Sequence, residues 1–117
     1  MKFYLAIIML FLANTGDVNI KGRWESKSST GIITAVNFKE DSSFEGFVNN
    51  KPFASGFYTL KGDTIDFVDN GCEGMHGVYK MIFYHAGDSM KWQSIYDSCD
   101  QRREGIQRLR LGRPKKY

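Results

Sequence analysis

The chain has 117 residues, 16 Lys and Arg against 13 Asp and Glu, a net charge of +3 and two cysteines. That length holds one small domain and excludes a two-domain enzyme or an eight-fold α/β barrel. Aromatics make up 15% of the residues, with 12 Gly and only 2 Pro, a mixture that favours strands over a helix bundle.

Lys2 precedes an unbroken apolar run of eleven residues, FYLAIIMLFLA over 3–13. A spanning helix needs about 20 such residues, so the run is too short to cross a membrane. It reads as a secretory leader over residues 1–16, with small residues Ala13, Thr15 and Gly16 near the cleavage point. The competing reading is a buried first element of the domain. The expected product is therefore exported, periplasmic or secreted, and starts near Gly16 or Asp17. Residues 17–99 carry 8 basic and 11 acidic side chains, whereas residues 100–117 carry 7 and 2. The positive excess thus belongs to the C-terminal segment, and a mildly acidic body argues against a nucleic-acid partner.

From Asp17 the chain alternates in short segments with turn signals about every 8–12 residues. The first predicted strand, 18–27, places Ile20, Gly22 and Trp24 on one face and Lys21, Arg23 and Glu25 on the other. The second, 31–39, alternates Ile32, Thr34, Val36 and Phe38. Glu40, Asp41 and Ser42 turn into a third strand over 43–48, and Asn49-Asn50-Lys51-Pro52 makes the next turn. Strands over 53–61 and 64–69 are joined by a tight Lys61-Gly62-Asp63 link. A loop from Asn70 to Gly77 holds Cys72, Glu73, Met75 and His76. Strands follow over 78–85 and 89–96, then a loop over 97–105 with Cys99, Arg102 and Arg103, then a last strand over 106–112. Residues 113–117 are left as a basic C-terminal tail. Eight strands in a meander predict an all-β fold, a small antiparallel up-and-down barrel over 17–112 whose closure removes free edges. An open two-sheet sandwich is the alternative.

In such a meander the links carrying Cys72 and Cys99 fall at the same end of the barrel. Two cysteines in an exported chain then read as one disulfide. A zinc site is the weaker alternative, since His76 is the lone histidine nearby and no C-x-x-C is present. No metal or cofactor is expected.

The Gly22-Arg23-Trp24 triplet on the first strand resembles the G-x-W motif of the lipocalin-like calycin barrels. More narrowly, the chain resembles small exported bacterial proteins of that kind, through stretches such as Gly56-Phe57-Tyr58-Thr59-Leu60, Cys72-Glu73-Gly74 and Asp97-Ser98-Cys99-Asp100. The resemblance implies that Trp24 plugs one barrel end with a basic residue of the last strand across its ring. Arg108 and Arg110 are the residues expected there, with Arg102 and Arg103 at the opposite end.

No P-loop, dinucleotide fingerprint, metalloprotease or nucleophile-elbow motif occurs, so the protein is not expected to be an enzyme. The expected function is binding of a small apolar or anionic ligand by a monomer. Phe44, Phe57, Phe67, Tyr79, Phe83 and Trp92 are the candidate lining, with His76, Arg102 and Arg103 at the mouth. The same rings could instead fill the barrel, leaving a protein-binding envelope module or an inhibitor of an exported hydrolase as the alternative.

Overall fold

The computed structural model describes residues 19–114; the predicted leader over 1–16 and tail residues 115–117 lie outside the described residues. Alternation carries the chain through β1 (Gly22–Lys27), β2 (Ile33–Phe38), β3 (Ser43–Val48), β4 (Lys51–Lys61), β5 (Thr64–Asp69), β6 (Gly77–Tyr84), β7 (Ser89–Tyr96) and β8 (Leu111–Gly112). Among the described residues these eight strands pair antiparallel in sequence order, and β8 returns to β1 to close a barrel. The expected all-β meander is therefore the fold. Tight turns make this pairing cheap: Asn49 and Asn50 both take positive φ, 51° and 67°, the conformation a two-residue hairpin link between β3 and β4 needs.

Register decides which rings enter the core. Trp24 lies opposite Val36, and Phe38 opposite Phe44. Trp24, Phe38, Phe44, Tyr58, Ile65, Phe67, Tyr79, Met81, Met90 and Leu111 are all buried. The adjacent pair Phe57-Tyr58 must split between faces. Tyr58 points inward and Phe57 is 65% exposed, so Phe57 is not a lining residue.

The barrel end at the start of β1 is shut by Trp24. Its indole Nε1 donates to the Ile20 carbonyl at 2.9 Å, and the Arg113 guanidinium sits 4.0 Å from the ring centroid. Arg113 Nη1 also donates to the Lys21 carbonyl at 2.7 Å. Gly22 makes room for this: its φ is +98°, and a Cβ there would meet Arg113 Nη1 at 3.2 Å. The expectation of Arg108 or Arg110 on Trp24 is thus corrected to Arg113. Side chains alternate along a strand, so Arg113 falls on the same side as buried Leu111 and reaches inward over the end. Arg110 instead turns back on the Gln107 and Leu109 carbonyls.

The last predicted strand is also shorter than expected. Residues 100–108 form a helix, α1 (Asp100–Arg108), and only Leu111 and Gly112 remain in strand. Two residues make a thin seam, reinforced by the Arg110 N–H on Ser26 Oγ at 3.1 Å and the Arg113 N–H on the Asp88 carbonyl at 2.9 Å.

Arg113→Ala removes both the cation–π contact and the side-chain bonds across the seam. It is expected to destabilise the barrel by about 1–3 kcal/mol, whereas Arg108→Ala and Arg110→Ala stay within about 0.5 kcal/mol. Urea unfolding followed by tryptophan fluorescence distinguishes the three; equal losses would refute the assignment of Arg113.

Candidate functional site

The opposite end is organised around a buried carboxylate. Asp97 follows β7 directly, and its side chain is 0% exposed. It accepts four hydrogen bonds: from the Tyr79 hydroxyl at 2.5 Å, from Arg102 Nε and Nη2 at 2.9 Å each, and from the Cys99 N–H at 3.0 Å. Arg102 is 7% exposed and extends from the first turn of α1. Its Nη1 lies 3.3 Å from Asp69 Oδ1 at the end of β5, and its Nη2 also donates to the Met75 carbonyl at 2.9 Å. The guanidinium packs 4.9 Å from the Phe67 ring centroid. Gly77 leaves space for the arrangement, because a Cβ there would meet both the Phe67 ring and Asp97 Oδ2.

Burial by itself would raise the Asp97 carboxyl. The bonds from Arg102, Tyr79 and the Cys99 N–H outweigh it and hold the group below the usual carboxylate value. Tyr79 shifts upward, because burial and the neighbouring Asp97 anion both penalise a phenolate. The disulfide Cys72–Cys99, with Cα atoms 5.9 Å apart, ties the β5–β6 loop to the residue that precedes α1. The expected pairing is therefore present, at the expected end.

Between α1 and strands β2 to β5 the packing leaves space. A chamber of about 150 Å³ lies among Val36, Phe38, Phe44, Ile65, Phe67, Trp92 and Leu111, roofed by Ile106 and Leu109. Small side chains create it: Gly46 sits opposite both Val36 and Ala54, so one row of the inner wall carries almost no bulk. The chamber adjoins an open cleft of about 500 Å³ that shares Thr34, Phe53, Ala54, Asp69, Arg102, Ile106 and Leu109 with it and reaches the disulfide. The lining is apolar except for Thr34, Asp69 and Arg102.

Of the expected lining residues, Phe44, Phe67 and Trp92 reach the chamber. Tyr79 is buried beside it, with its ring 5.8 Å from Trp92. Phe83 packs 6.4 Å from Trp24, toward the plugged end, and Phe57 faces outward. Among the mouth residues, Arg102 lines both spaces, while Arg103 bonds the Asp97 carbonyl and Asp100. His76 is exposed and hydrogen-bonded to Asp66 at 2.6 Å, and it is not part of the lining. Sequence reasoning missed Asp97, Asp69 and the roof residues Ile106 and Leu109. A strand over 106–112 hides that Ile106 comes to the chamber from α1 and Leu109 from the residue that follows it.

Among the described residues no group of three or more His, Cys, Asp or Glu is arranged to hold a metal ion, and no helix is long and apolar enough to cross a membrane. No family model, curated protein or solved structure matches the chain.

The linked shifts set a stability profile with a known sign. Asp97, depressed from 3.8, contributes stability above that value and loses it as pH falls further. Tyr79, raised from 10.0, contributes stability below that value and loses it as pH rises past it. Urea titrations across pH should show Tyr79→Phe losing part of the alkaline decline, and Asp97→Asn costing about 3–5 kcal/mol at neutral pH. A Tyr79→Phe profile superimposable on wild type at high pH would count against the coupling. Replacing both cysteines by Ala is expected to cost about 3–4 kcal/mol in the chain-entropy model, seen as a lower urea midpoint; an unchanged midpoint would contradict it.

Proposed function

We propose that the protein is an exported, monomeric, lipocalin-like binding protein that holds a small apolar ligand beneath α1 and transforms nothing. The observation that carries this reading is the apolar chamber of about 150 Å³ joined to an open cleft. An apolar cavity of about that volume is large enough to take up a benzene-sized molecule. Trp24 under Arg113 behind Gly22 supports the lipocalin-like assignment, because it reproduces the plug the G-x-W resemblance implies. The disulfide supports export, since such bonds persist in oxidising compartments. Against catalysis, the buried polar groups near the chamber are committed to one another, with Tyr79, Arg102 and the Cys99 N–H all bound to Asp97. His76 pairs with Asp66 in solvent.

A second reading, docking of an envelope protein, draws on outward apolar side chains. Phe57 is 65% exposed on β4, and Ile95 and Tyr96 are exposed on β7. It requires no internal space, so one experiment separates the two. Toluene titrated into the methyl-labelled protein should shift the resonances of Ile65, Ile106, Leu109 and Leu111, with a dissociation constant of about 1 mM or tighter. Ala54→Phe, which puts a ring where the chamber meets the cleft, should abolish those shifts while the protein stays folded. Absence of shifts in the wild-type protein would remove the ligand reading and leave the docking one.

A further inference from the structure

We infer that the site selects ligands carrying a cationic amine beside an apolar group, and discriminates against anions. The inference rests on the chamber proposed above and adds the charge of what enters it. An arginine at the mouth of a cavity invites an anionic ligand, but four of the five N–H donors of Arg102 are engaged within the protein. Its Nε and Nη2 grip both oxygens of Asp97, Nη2 also donates to the Met75 carbonyl, and Nη1 faces Asp69. Two carboxylates therefore stand against one guanidinium in a buried cluster, with side-chain exposures of 0% for Asp97, 11% for Asp69 and 7% for Arg102. A further pair, Arg103 with Asp100 at 3.0 Å, cancels itself.

Beside Arg102, Asp69 lines both chamber and cleft. Its Oδ1 accepts from the Gly71 N–H at 2.9 Å and from Arg102, whereas Oδ2 accepts no hydrogen bond among the described residues. A carboxylate oxygen with spare lone pairs, in surroundings of low dielectric and one negative charge in excess, is matched by an ammonium donor. The walls act in the same direction. Phe38, Phe44, Phe67 and Trp92 line the chamber, and an aromatic ring attracts a cation placed over its face. An aromatic or short aliphatic amine would place its apolar part under Ile106 and Leu109 and its nitrogen on the Asp69 side.

Three probes of similar shape test this on the wild-type protein by calorimetry and methyl chemical shifts at neutral pH: toluene, benzylammonium and benzoate. Benzylammonium is expected to bind about tenfold tighter than toluene and benzoate more weakly than either. Asp69→Asn should bring benzylammonium to within about twofold of toluene while leaving toluene itself unchanged. Toluene binding with no preference for the ammonium, or with a preference for benzoate, overturns the charge selection and leaves the apolar site standing. If none of the three binds, the site itself is refuted. The wild-type ranking is decisive even if Asp69→Asn fails to fold.

Discussion

The contact on which the functional end depends is the bidentate pair between Asp97 and Arg102. Burying a carboxylate is expensive, and a buried ion pair does not of itself stabilise a fold. Here the cost is offset by saturating Asp97 with donors from three directions: a strand through Tyr79, a helix through Arg102, and a backbone N–H at the disulfide. What the pair supplies is position. α1 has no fully buried residue, so apolar packing alone would hold it loosely. Arg102 and the Cys72–Cys99 bridge fix its first turn over the barrel, and Ile106 one turn later becomes a roof.

The two ends of the barrel solve the same closure problem differently. At one end an indole and a guanidinium seal the interior, with Gly22 admitting the guanidinium. At the other end the seal is a helix held by charge, and the space beneath it survives because the wall opposite is made of Gly46 and Ala54. Between them the rings of Phe38, Tyr58, Phe67, Tyr79 and Trp92 interlock at centroid distances of 5.1 to 6.3 Å. The aromatic excess thus has two roles: most rings are packed core, and Phe38, Phe44, Phe67 and Trp92 are core on one side and chamber wall on the other.

Alternation and turn chemistry made the meander, its closure and the cysteine pairing legible before any coordinates. Three features were not. α1 lies in DQRREGIQR, whose Gly105 and single apolar Ile106 give no amphipathic stripe; the alternation around Ile106 mimics a strand. Its signature was electrostatic instead, Asp100 in the first turn and Arg108 in the last, complementary to the helix dipole. Arg113 was hidden in a segment that reads as a solvated tail, although parity with Leu111 turns it inward. Phe57 and Tyr58 are adjacent rings, and only cross-strand register decides which one faces the core. Asp97 carried the least signal: an acid ending a strand is usually a turn cap, and its burial follows from where Tyr79 and Arg102 arrive.

Crystals equilibrated under xenon pressure would examine the central claim most directly, that a charge-held helix roofs an apolar chamber. Xenon density is predicted among Phe38, Phe67, Trp92 and Ile106, with α1 undisplaced and the Asp97–Arg102 contacts intact. A barrel that takes up no xenon there, with side chains closed across the space between Gly46 and Ile106, would contradict it.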